Sequence, residues 1–78
     1  MDSENQYFIK AAELYGYGDT ISGDRLFKLC VLCLSNREKA ADEETKQFAQ
    51  TAIKNIIEQR KREDYIALSD TLLEQVKS

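Results

Sequence analysis

The chain has no histidine, no proline and no tryptophan. Without histidine it lacks the commonest general acid and base, and no Ser-His-Asp arrangement exists. A single chain would offer zinc only two thiolates, Cys30 and Cys33, plus carboxylates. Without proline, any break between helices must be read from other signals. The longest apolar run is Leu29 to Leu34, far short of the roughly 20 residues a spanning helix requires, so no membrane span is expected. The N-terminal Met1-Asp2-Ser3-Glu4-Asn5-Gln6 is acidic where a secretory signal is basic, and neither terminus carries a lipidation pattern. A cytoplasmic location is the simplest expectation. Basic excess is also missing. Fourteen acids against 11 Lys and Arg give a net charge of −3, which argues against a dedicated nucleic-acid binder and is too mild for an imitator of DNA.

What is present points to helices. In 78 residues, 42% are hydrophobic and 32% charged, the profile of a folded chain. Residues 1–78 are expected to form one domain. A chain of this length buries only roughly 60% of its unfolded surface, which favours a small bundle or one half of an oligomer. No strand alternation and no solenoid repeat is visible.

A first helix is expected from about Glu4 to Tyr15. Ser3 and Gln6 form a capping box, and Tyr7, Phe8, Ala11, Ala12, Leu14 and Tyr15 make one apolar face. All three glycines lie between Gly16 and Gly23, and that segment reads as the one clear loop. They spell no phosphate-binding loop, since no Lys-Ser/Thr pair follows. A second helix is expected from Ser22 or Gly23 to about Asn36. It is apolar nearly all round, which predicts burial all round, at the centre of the domain or between subunits. Ser35 with Glu38, or Asp42, would cap a third helix reaching about Arg60. Its stripe is Ala41, Thr45, Phe48, Ala49, Ala52, Ile53, Ile56 and Ile57. The last stripe is Tyr65, Leu68, Leu72 and Val76, about half a turn out of phase with the third at 100° per residue. A break within Arg60 to Asp64 cures the mismatch. One long helix serving two neighbours is the alternative.

Cys30 and Cys33 have the Cys-x-x-Cys spacing of redox and zinc sites. Among Leu29, Val31, Leu32 and Leu34, with no βαβ context, they read as core residues, and buried cysteine packs as a small hydrophobe. A four-thiolate site would need two chains. Asp42, Glu43 and Glu44 sit where a helix N-terminus favours negative charge. No enzyme, no cofactor and no metal is expected. In Tyr15-Gly16-Tyr17-Gly18, two tyrosines adjoin flexible backbone, as in interface hot spots. Arg60-Lys61-Arg62 is the only basic triplet, and a solvated helix end is its plain reading. A helix–turn–helix would place Glu38, Asp42, Glu43 and Glu44 against phosphates.

The expected architecture is therefore all-α, a three- or four-helix bundle with a central apolar second helix. The expected function is a small protein-interaction module (regulator, adaptor or inhibitor) acting through an apolar helical surface, with another protein or itself, as a homodimer, for partner. Its contact residues are expected among Tyr15, Tyr17, Tyr65, Leu68, Leu72 and Val76. A nucleic-acid-binding regulator using Arg60-Lys61-Arg62 is the alternative.

Overall fold

The computed structural model describes residues 3–39 and 42–77. Four helices follow one another: α1 (Ser3–Gly16), α2 (Thr20–Glu38), α3 (Glu43–Lys61) and α4 (Tyr65–Lys77). Among the described residues there is no strand. Short connections force chain neighbours to run antiparallel. α1 packs on α2 and α4, and α3 packs on α2 and α4, with no packing across the diagonals among the described residues. The result is an up-down-up-down ring. Its radius of gyration, 11.7 Å, matches the roughly 11.5 Å expected of a compact chain of this length. The single long helix is thereby excluded.

Each boundary has a local cause. Asp19 caps α2, its carboxylate accepting the Ser22 N–H at 3.1 Å. Asp42 caps α3, accepting from the Thr45 N–H at 3.2 Å and the Thr45 hydroxyl at 2.6 Å. Those bonds hold the Asp42 carboxyl below its ordinary pKa, the hydroxyl contributing most. The Ala67 N–H donates to Asp64 at 3.2 Å at the start of α4. α1 and α3 end in the same way. Gly18 has φ +83° and Glu63 has φ +59°. The next amide reaches back five residues, Asp19 to Leu14 at 2.9 Å and Asp64 to Gln59 at 2.9 Å. These are Schellman terminations, and the second is made without glycine. The break expected between Arg60 and Asp64 is thus present.

Three boundaries differ from expectation. The loop between α1 and α2 is residues 17–19 only, and Gly23 lies inside α2. A Cβ there would stand 2.8 Å from the Tyr15 ring, so this glycine serves close helix approach and not a turn. Ser35 and Glu38 lie within α2 and cap nothing. Ser3 is already helical, and its side chain, like Ala41 of the third stripe, lies outside the described residues.

The core is shared round the ring. Phe8, Ala11, Ala12 and Tyr15 come from α1, Cys30, Cys33 and Leu34 from α2, Ala52 and Ile56 from α3, Leu68 and Leu72 from α4. Each large side chain fully withdrawn from water contributes roughly 1.5–3 kcal/mol. α2 is not buried all round. Leu32 is 60% exposed, and Leu29 and Val31 are half-buried. In a ring of four, every helix has two neighbours and an outer face, so apolar composition alone cannot bury the second helix.

Candidate functional site

Where α1 ends, α2 begins, α3 ends and α4 begins, each helix supplies one side chain to a single polar cluster. Arg60 of α3 grips Asp24 of α2 with both edges of the fork, Nε to Oδ1 at 2.7 Å and Nη2 to Oδ2 at 2.8 Å. The Tyr15 hydroxyl of α1 donates to the same Oδ1 at 2.7 Å. Nη1 of Arg60 donates to the Tyr65 hydroxyl of α4 at 3.2 Å, and the guanidinium carbon lies 5.5 Å from that ring's centroid. The Tyr15 and Tyr65 rings stack, with centroids 5.5 Å apart and planes inclined by 17°.

The electrostatics follow from this geometry. The hydrogen bonds from Arg60 hold the Asp24 carboxyl below its usual range, helped by Tyr15. Asp24 in turn pushes Arg60 further up. Burial raises the Tyr15 phenol, and its bond to Asp24 raises it more. Tyr15, Asp24 and Arg60 are thereby each fixed in one charge state at neutral pH. A proton shuttle needs the opposite, a group poised near the working pH. The cluster is a clasp that fastens four helices at one end.

Two large apolar side chains stand exposed at the clasp end. Tyr17, in the turn after α1, is 83% exposed, and Ile66, in the first turn of α4, is 81% exposed. Beside Ile66 lies a shallow depression of about 250 Å³, lined by the stacked Tyr15 and Tyr65 and by Gly16, Ile66, Ser69 and Asp70. The Ser69 hydroxyl is turned inward to the Ala12 carbonyl at 3.2 Å.

The six residues expected to make contacts divide three ways. Tyr15, Leu68 and Leu72 are buried inside the bundle and are spent on the chain's own core. A charge at Leu72 would therefore unfold the chain before it altered any association. Tyr65 and Val76 are half-buried against that core, and Tyr17 stands free. Their periodicity marked an apolar face correctly. It did not say whether that face turned inward. The residues missed are Ile66 and Leu73, which stand off the fourth stripe and are 81% and 40% exposed. Standing off the stripe was the signal that they face out. Asp24 was also missed, and Arg60 stood out only as part of a basic triplet, the two lying 36 residues apart.

That triplet is not a free basic patch. Arg60 belongs to the clasp, and Arg62 pairs with Glu58 at 2.6 Å. Cys30 and Cys33 are both buried. Burial, with the neighbouring Cys33, pushes the Cys30 thiol up to about 12, the character of an inert core thiol. Among the described residues no group of three or more His, Cys, Asp or Glu is placed to hold a metal, and no helix is long and apolar enough to cross a membrane.

At the opposite end, a cleft of about 560 Å³ is lined by Glu4, Asn5, Arg37, Phe48, Gln75 and Val76 among others. Arg37 meets Glu4 there at 3.3 Å and lies over the Phe8 ring at 5.1 Å. No protein-family model, no curated protein and no solved structure matches this chain.

Proposed function

We propose that the chain is a small cytosolic protein-interaction module, a regulator, adaptor or inhibitor without catalytic activity, and that it binds through the exposed apolar side chains of α4 and of the turn after α1, at the clasp end. The observation that carries this reading is the exposure of Tyr17 and Ile66, each more than 80% exposed at the clasp end, with Ile66 and the Gly16 that precedes Tyr17 both lining one depression on a braced floor. Large apolar side chains grouped on a rigid surface suit association, because little conformational freedom is lost when they are covered. Tyrosine adds contact area at low entropic cost. The nucleic-acid reading is not favoured, since two of the three cations it needs are engaged within the chain.

The test is a photo-crosslinking residue placed at Ile66, with one at Lys28 on exposed α2 as control. In cells, position 66 is expected to give a discrete adduct that Tyr17→Ala weakens several-fold. If positions 66 and 28 give the same faint background, the reading is wrong.

A further inference from the structure

We propose that the face of α1 and α4 docks a second copy of this chain, the two copies related by a two-fold axis lying along the seam between these helices. This rests on the binding reading above and names its occupant.

The register of the seam comes from two contacts. Tyr15 stacks on Tyr65, and Ser69 donates to the Ala12 carbonyl. The helices run antiparallel, so Lys10 of α1 stands level with Asp70 of α4 to within about one residue's rise of 1.5 Å. Ser69 faces α1, and Asp70, about 100° further round α4, turns outward on the far flank. Lys10 has the same relation to half-buried Ile9. Both charged residues are exposed, and neither forms an ion pair among the described residues. Between the flanks run Ile66 and Leu73, seven residues apart on one stripe, with Ile9 beside them. The hydroxyl of Ser69, between Ile66 and Leu73, is already satisfied inward.

This pattern is self-complementary. A two-fold axis along the seam lays α1 of one copy on α4 of the other, running antiparallel. Each Lys10 then meets Asp70 of the second copy, twice over, around a shared apolar centre. Tyr17 falls near Ile66 of the second copy. Among the described residues, the exposed apolar side chains of α2 and α3 lack this property. Ile21 and Leu32 share a stripe of α2 with Arg25 and Lys28 between them, so two copies meeting there would oppose like charges. Phe48 and Ile57, nine residues apart, lie on opposite flanks of α3. Helices of 14 and 13 residues are about 20 Å long, and a pair is about 20 Å wide, so docking removes on the order of 1,000 Å² of total accessible surface. That is the lower bound for a specific interface and suits a reversible, concentration-dependent dimer. Glu13, exposed on the same face, stands nearest Ser69 of the second copy and gains no cation.

Sedimentation velocity from about 5 to 500 µM at low salt tests the proposal. The chain is expected to dimerise with a dissociation constant in the tens of micromolar. Lys10→Asp or Asp70→Lys alone should weaken dimerisation at least tenfold, and the double exchange should restore it to within about threefold. Ile66→Asp should abolish it, and Glu13→Gln should tighten it about twofold. All four positions are exposed, so melting profiles of dilute samples should be unchanged. A chain that stays monomeric throughout, or a double exchange no better than the single changes, overturns the second copy as occupant. If the crosslinker at position 66 still yields a discrete adduct containing a different protein, the binding reading survives that failure. If it yields none, both fall.

Discussion

At one end of the bundle Arg60 closes on Asp24 with two bonds of 2.7 and 2.8 Å. At the other, Arg37 meets Glu4 through a single contact of 3.3 Å. Both ends use an arginine, a carboxylate and an aromatic ring. The difference lies in how many helices each arrangement joins. The clasp draws one residue from every helix, so the ends of all four are registered together. The opposite end has pairwise links, α1 to α2 through Arg37 and α2 to α3 through Gln50 donating to Glu38 at 3.2 Å, and it leaves a cleft of about 560 Å³. A fork bound on both edges defines direction as well as distance, which a single contact does not. The exposed Tyr17 and Ile66 sit over the better-defined end.

The largest blow to this contrast should come from Gly23→Ala. Its Cβ would stand 2.8–3.0 Å from three atoms of the Tyr15 ring, displacing the ring and opening the clasp. A loss of about 2–3 kcal/mol is expected in urea unfolding. Gly16→Ala, two residues from the clasp surface's Gly18, meets nothing within 4 Å and should change stability by less than about 0.5 kcal/mol.

Double-mutant cycles compare the two ends directly. Asp24→Asn with Arg60→Met should show a coupling of about 1–2 kcal/mol, reduced from that of a fully buried pair because both side chains are partly exposed. Glu4→Gln with Arg37→Met should couple by less than about 0.5 kcal/mol. Equal couplings would erase the distinction.

Titration separates the clasp from the buried middle of the bundle. Asp24 is depressed in the folded chain, so its stabilisation is complete above the ordinary carboxylate range, about pH 5, and is lost as the pH falls through the lower folded value. Asp24→Asn should flatten that acid limb. Cys30 is raised from 9.0 to about 12, so its contribution is complete below pH 9 and is lost as the pH rises towards 12. Cys30→Ala should reduce the alkaline limb, part of which the raised Tyr15 phenol keeps, and leave the acid one alone. Thermal melts from pH 3 to 10.5 would show both.

The smallest effect concerns the two matching turns at the clasp end. Glu63→Gly relieves a left-handed residue at φ +59° and should stabilise by about 0.5–1 kcal/mol. Gly18→Ala, at φ +83°, should cost about 1 kcal/mol.

Much of the fold was legible because helical period is a local property. Three apolar stripes, the apolar second helix, the phase change near Arg60 and a cap at Asp42 were all readable from neighbours in sequence. Gly23 misled, because a glycine that permits close packing looks the same in sequence as one that permits a turn. Ser35 and Glu38 misled because a capping box is a spacing, and the same spacing occurs inside helices. The candidate surface was half legible. Tyr17 was singled out, whereas Leu68 and Leu72 were placed on the surface though they fill the core, since a periodic stripe gives a face and not what covers it.

The sequence by itself determined that this chain is helical and narrowed it to three or four helices, since 3.6-residue periodicity, caps and charge at helix ends act over a few residues; the structure decided that the third and fourth part at residues 62–64. Only the tertiary structure decided which apolar residues remain in water and that Tyr15, Asp24, Arg60 and Tyr65 form one cluster. Those outcomes depend on side chains as far apart as 36 and 50 positions meeting at one end of a ring, and no local signal encodes a contact across that distance.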